Sequence, residues 1–169
     1  MKKLLAVLIV ITLSGCKSVM VNDTDSKNEI NVTLDTWHKA AADANYNAYF
    51  SLMSDDAIFI GTDATENWNK TAFQAYAKPH FDKGKAWSFT ALERHIYLDK
   101  TGKTAWFDEL LNTQMKICRG SGVLVKIGQE WKIKQYVLSM TIPNDNSSEV
   151  IKVKTPIENI MIKKLQAKQ

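Results

Sequence analysis

The sequence predicts an α+β domain in which three N-terminal helices pack inside a strongly bent antiparallel sheet. Two observations carry this. Apolar residues recur with a helical period through the first half of the chain, then switch to a period of two from Trp87 onward. Turn-forming stretches such as Asp99-Lys100-Thr101-Gly102-Lys103 and Gly128-Gln129-Glu130 separate the later runs at hairpin spacing.

The helices come first. Asn31 to Ala44 puts Leu34, Trp37, His38 and Ala41 on one face. Asn45 is placed to cap a second, short helix that turns Tyr46, Tyr49, Phe50 and Met53 inward. Asp56 to Gly61 is a short apolar strand. Asn69 caps a third helix with Phe73, Tyr76, Ala77 and His80 on its inner face. Pro79 limits or kinks that helix, because its ring removes a backbone donor and crowds the preceding turn. Strands are expected at Trp87 to Leu98, Thr104 to Thr113, Cys118 to Ile127 and Trp131 to Thr141. Helices followed by a curling sheet give a two-layer domain.

The two ends read differently. Lys2 and Lys3 precede an apolar run, Leu4 to Leu13, and then Ser14, Gly15 and Cys16. Such a run is a signal peptide and is too short to span a bilayer. The Leu13-Ser14-Gly15-Cys16 stretch resembles the bacterial lipobox. The resemblance implies that the chain is cut before Cys16, which is then acylated and ties the protein to membrane lipid. With Lys17 following, sorting to the periplasmic face of the outer membrane is implied. Two or three acyl chains, at roughly 0.8 kcal/mol per buried CH₂, anchor durably. Residues 16–30 read as the lipidated cysteine and a polar tether, 31–145 as the domain, and 146–169 as a helical tail. In that tail Thr155-Pro156-Ile157-Glu158 is a capping box with Pro at the first helical position. Ile157, Ile160, Met161 and Leu165 form a stripe expected to pack back on the domain, the alternative being a membrane surface.

Composition narrows the function. The formal charge is +4, yet residues 16–142 hold fifteen basic and fifteen acidic residues, so the excess lies at the ends. A nucleic-acid footprint needs a basic stripe on the fold itself, so no nucleic-acid partner is expected. With Cys16 lipidated, Cys118 alone remains, which excludes a disulfide within the chain; it is either a nucleophile or a small buried hydrophobe. His38, His80 and His95 share no metal-ligand spacing. Gly120-Ser121-Gly122 lacks the nucleophile-elbow pattern, and no Gly-rich loop opens a helix to hold a phosphate cofactor.

Three stretches carry a family resemblance: Thr104-Ala105-Trp106-Phe107-Asp108-Glu109, Cys118-Arg119-Gly120-Ser121-Gly122-Val123-Leu124 and Trp131-Lys132-Ile133-Lys134-Gln135-Tyr136-Val137-Leu138-Ser139. In this order, over residues 31–145, the chain resembles the nuclear transport factor 2-like superfamily, in its SnoaL-like branch. That resemblance implies the cone-shaped fold. It leaves activity open, since the fold hosts enzymes, ligand binders and dimerisation modules.

Strand alternation assigns the inner face. If Lys132 and Lys134 face water, then Trp131, Ile133, Gln135, Val137 and Ser139 face inward; if Lys126 faces out, then Arg119, Ser121, Val123 and Val125 face in. The family pattern directs Asp108 toward the cavity, beside Arg119, as an ion pair or as the polar floor of a pocket. Trp68, Tyr76, His80 and Trp87 gather at the cone mouth, either as pocket walls or as filling, with His80 a candidate general base. Val137 stands where SnoaL-like relatives often have a histidine, and a valine cannot move a proton. The expected function is a lipoprotein that binds a small, largely apolar ligand. The alternatives are an isomerase, cyclase or hydratase using Asp108 with Arg119 and Gln135, and a non-catalytic adaptor. Tyr136, Leu138 and Met140, placed on the outer face by the same alternation, suggest a homodimer.

Overall fold

The computed structural model describes residues 23–168; the leader, Cys16 and the first part of the expected tether lie outside them. Helix α1 (Asp23–Ala42) starts with Asp23 and Asp25 and ends with Lys39, which suits the helix dipole. It begins eight residues earlier than expected, so residues 23–30 are helix and not tether. Ser26 and Ile30 extend the buried stripe of Leu34, Trp37 and Ala41 by whole turns, a pattern the polar composition around them conceals. Helix α2 (Tyr46–Ser51) and helix α3 (Lys70–Asp82) are capped as expected: Asn45 Oδ1 accepts the Ala48 N–H at 3.1 Å and Asn69 Oδ1 the Ala72 N–H at 2.9 Å. Pro79 is accommodated inside α3, which continues to Asp82.

Six strands form one sheet: β1 (Met53–Ile60), β2 (Asn67–Asn69), β3 (Thr90–Leu98), β4 (Thr104–Thr113), β5 (Lys116–Ile127) and β6 (Glu130–Met140), in the order β2-β1-β6-β5-β4-β3. The β3 to β6 run is the expected antiparallel meander, while β1 joins β6 in parallel and β2 is a short addition. The helices cover one face of this sheet. Between them lies an aromatic core, in which Phe59 stacks on Phe73 at 3.9 Å and Trp37 on Tyr49 at 4.7 Å.

The faces of β5 and β6 differ from the expectation, for two separate reasons. Val123 pairs with Gln135 but Leu124 pairs with Ile133, so β6 carries one extra residue at Lys134. Such a bulge re-aims every residue after it. Trp131 and Ile133 face inward as expected, but beyond the bulge the buried residues are Tyr136 and Leu138, while Gln135, Val137 and Ser139 turn outward. In β5 the lysine misleads. Lys126 is in phase with buried Leu124, laying its ammonium 5.6 Å from the Trp131 ring and 2.8 Å from Glu29 Oε2. A lysine can thus sit on the inner face with its charge led to the edge. Cys118, Gly120 and Leu124 therefore face in, and Arg119, Ser121, Val123 and Val125 face out.

After a 3₁₀ turn (Asn144–Asn146), α4 (Ser147–Gln166) begins well before Thr155 and runs through Pro156. None of its residues is buried, and Ile151, Val153, Ile157, Ile160 and Leu165 are exposed, so the tail does not pack back on the domain. The inner face of the sheet is already covered by α1, α2 and α3. Among the described residues, no helix is long and apolar enough to cross a membrane.

Candidate functional site

At the open end of the domain, α3, β2 and the segment leading into β3 enclose a pocket of about 220 Å³. All four residues assigned to the cone mouth line it: Trp68, Tyr76, His80 and Trp87. Trp68 follows from its place in β2 beside the Asn69 cap, and Tyr76 and His80 from their spacing of four on α3. The Trp68 and Tyr76 rings stack at 4.4 Å, and Phe73, Phe59 and Leu138 form the inner wall. Glu66, Thr62 and Gln114 supply polar groups at the edge. Partial burial, together with the Glu66 charge, raises the Tyr76 phenol above its ordinary value.

A second, polar centre lies deeper. Glu109 on β4 is fully buried, and three elements supply its partners. His38 Nε2 of α1 lies 2.8 Å from Glu109 Oε1, and the Tyr136 hydroxyl of β6 donates to the same oxygen at 3.1 Å. Arg94 of β3 donates through Nε to Oε2 at 2.9 Å, and its Nη2 lies 2.8 Å from that oxygen. The outer Arg94 nitrogen, Nη1, reaches Asp35 Oδ1 at 2.9 Å and Asn31 Oδ1 at 3.1 Å. Burial pushes the Glu109 carboxyl up, but the His38 hydrogen bond and the His38 and Arg94 charges outweigh it, and the group is held below the usual carboxylate range. Burial and the Glu109 charge push the Tyr136 phenol well up.

Through His38 and Arg94 this centre borders a cleft of about 600 Å³ between α1 and the start of β3. His38, Arg94, Asp35, Ser88, Thr90 and Phe89 line it. Phe89 also lines the aromatic pocket, so a single ring is a wall common to the two cavities. His38 and Phe89 meet edge to face, 5.9 Å between centroids.

Residues 30–143 match the SnoaL-like domain family. The chain belongs to that family. Solved structures agree on the fold. An NTF2-like protein of unknown function from Pseudomonas putida KT2440 is 14% identical with a TM-score of 0.62, covering 73% of this chain and 92% of its own. A proposed dehydratase of the NTF2-like family from Streptomyces avermitilis is 12% identical with a TM-score of 0.61, covering 72% and 99%. A protein of the DUF3225 family from Pectobacterium atrosepticum SCRI1043 is 16% identical with a TM-score of 0.58, covering 72% and 94%. Among curated proteins, none matches the sequence.

Within this SnoaL-like domain the remaining expected site residues do not reach the interior. Asp108 points outward, where its carboxylate lies 3.1 Å from His95 Nδ1. Arg119 is exposed, opposite Leu110 and Ser139, and so is not the partner of a buried Asp108. Gln135 and Val137 sit on the outer face beyond the bulge. The polar floor does exist, but it is formed by the neighbour Glu109 with Arg94. The strand itself held the signal, since Ala105, Phe107, Glu109 and Leu111 share one parity and all are buried. Cys118 is buried with its sulfur 3.5 Å from the Thr113 hydroxyl, the packed role and not that of an exposed nucleophile. Among the described residues, no group of three His, Cys, Asp or Glu side chains is arranged to hold a metal ion.

Proposed function

We propose that this SnoaL-like domain binds a small, largely apolar ligand in the aromatic pocket at the cone mouth. The observation that supports it is the convergence of Trp68, Tyr76 and Trp87 around a space of about 220 Å³, with His80, Thr62 and Glu66 at its edge. Pockets for drug-sized ligands run from roughly 300 Å³ upward, so the occupant is no larger than one or two fused rings. Calorimetry with 1-naphthol as probe tests this. Wild-type protein should bind it, and Trp68→Ala should weaken binding at least tenfold, about 1.4 kcal/mol. A wild type that takes up no heat would sink the reading. Asp108, Arg119 and Gln135 contribute no chemistry here, because none of them lines the pocket.

The cell-envelope setting rests on the Leu4 to Cys16 stretch. Cys16 carries the lipid, and the domain stands at the periplasmic face of the outer membrane. Mass spectrometry of the mature chain should find an acylated Cys16; an unmodified thiol there would overturn the anchor. A homodimer is supported by the outer face of the sheet, though not by Tyr136 and Leu138, which are buried inside; of the three residues first assigned to it only Met140 is exposed. The outer face instead displays Tyr97 and Trp106, stacked at 5.8 Å and about half exposed, with Val123 paired opposite Trp106. Light scattering on residues 17–169 should report twice the protomer mass.

A further inference from the structure

We propose that His38 and Glu109 form an acid–base dyad that moves a proton to or from a small, non-anionic molecule held in the cleft between α1 and β3. This is a site apart from the aromatic pocket, against which it shares only the Phe89 wall. Glu109 is an acceptor, already engaged by Arg94 and Tyr136, so His38 Nε2 bears the hydrogen it directs at Oε1. In the neutral ring that fixes the tautomer and leaves Nδ1 with its lone pair. Among the described residues Nδ1 has no hydrogen-bond partner, and the ring it belongs to lines the cleft. An imidazole oriented by a carboxylate, with its other nitrogen free toward a cavity, is the arrangement general base catalysis requires. Neutralising Glu109 needs only the Arg94 guanidinium; the histidine adds a group able to exchange protons with the cleft.

The cleft also indicates what it takes. The groups around His38 are Glu109 and Tyr136 beneath it, Arg94 and Glu93 from β3, Asp35 and Lys39 from α1, and Asp43 just after that helix. Each cleft cation is taken: Lys39 lies 2.6 Å from Asp43, and Arg94 is shared between Glu109 and Asp35, at 2.8 and 2.9 Å. With no cation left free to recognise an anion, the occupant is not anionic; it is held by the Ser88 and Thr90 side and carries an acidic C–H or O–H.

The probe is 5-nitrobenzisoxazole, with full-length protein. His38 Nδ1 takes the C3 proton, the C–H electron pair completes the nitrile, the N–O bond breaks and 2-cyano-4-nitrophenolate leaves; the proton then passes from Nδ1 to water. Turnover should exceed that in buffer, follow a single ionisation with pH, and fall at least tenfold in His38→Gln, with that ionisation gone. A wild type no faster than buffer, or a folded His38→Gln as fast as wild type, overturns the dyad. Diethyl pyrocarbonate on the wild type gives an answer that does not depend on the variant folding. Turnover lost in step with carbethoxylation of His38, mapped by mass spectrometry, supports the dyad. Turnover that survives it, or a His38 that stays unmodified while His80 and His95 react, overturns it. Naphthol binding without probe turnover removes the dyad and leaves the aromatic pocket standing.

Discussion

The Tyr136 hydroxyl donates to Glu109 Oε1 at 3.1 Å, and the two side chains lie on β6 and β4, with β5 running between them. That contact crosses over Gly120, the β5 residue opposite Glu109 on one side and Leu138 on the other. A methyl group at Gly120 would lie 2.3 Å from the Tyr136 hydroxyl and 2.9 Å from Glu109 Oε1. The glycine is therefore what allows a phenol and a carboxylate to meet across an intervening strand.

Removing the carboxylate should be far more damaging than removing the phenol. Glu109→Ala leaves Arg94 buried without its counter-charge, and breaking a buried pair from one side typically costs about 3–5 kcal/mol. Tyr136→Phe removes one hydrogen bond to a charged group, about 1.5–3 kcal/mol, while His38 and Arg94 still hold Glu109. Urea melts of both variants check the ordering.

Gly120→Ala should destabilise by about 1–3 kcal/mol through overpacking. Because the nearest obstacle is a hydroxyl, Tyr136→Phe in the same chain should recover part of the loss. Gly122→Ala meets the main-chain oxygen of Gln135 at 2.2 Å, at the bulge itself, and no side-chain substitution should rescue it. A double-mutant cycle distinguishes the two glycines.

Much of this was legible in the sequence. The inward stripe of α1, both asparagine caps and the group Trp68, Tyr76, His80 and Trp87 follow from local spacing, and the structure places them so. The inner face of β5 and β6 was not legible, because parity reasoning needs an anchor and both anchors failed. Lys134 marks a bulge, and Lys126 is an inner-face residue whose charge escapes to Glu29. Glu109 was hidden for a different reason. A charged residue is tolerable in a core only with partners, and here they lie 71, 15 and 27 positions away in the chain. Only the tertiary fold brings them together.

Acid should loosen the core through Glu109. Its carboxyl is held below the ordinary value of 4.5 in the folded state, so the stability it adds is complete above that value. It is lost as the pH falls below 4.5 and through the folded-state pKa. Unfolding free energy measured from pH 7 to pH 3 should decline in that window, and the decline should be shallower in Glu109→Gln.

His95 shifts the other way. The Asp108 hydrogen bond, with the charges of Asp108 and Glu93, raises the imidazole above 6.5 against a smaller opposing effect of burial. A raised pKa stabilises the folded state below the unfolded value, and that contribution fades as the pH rises through the folded one. Proton NMR should find His95 titrating above 6.5, and Asp108→Asn should return it toward that value.

The α4 helix, which buries no residue, has a thermodynamic consequence. Among the described residues, helix 147–166 makes no extensive contact beyond the turn before it, and a lone helix of this length is marginal in water, the more so with Pro156 removing one of its hydrogen bonds. Its melting and that of the domain are thus uncoupled equilibria. Amide hydrogens of residues 147–166 should exchange at rates indifferent to denaturant, while those of β4 and β5 exchange only on global opening. By linkage, anything that grips the tail leaves the domain's melting temperature where it was. A ligand that fills the cone raises it without ordering the tail.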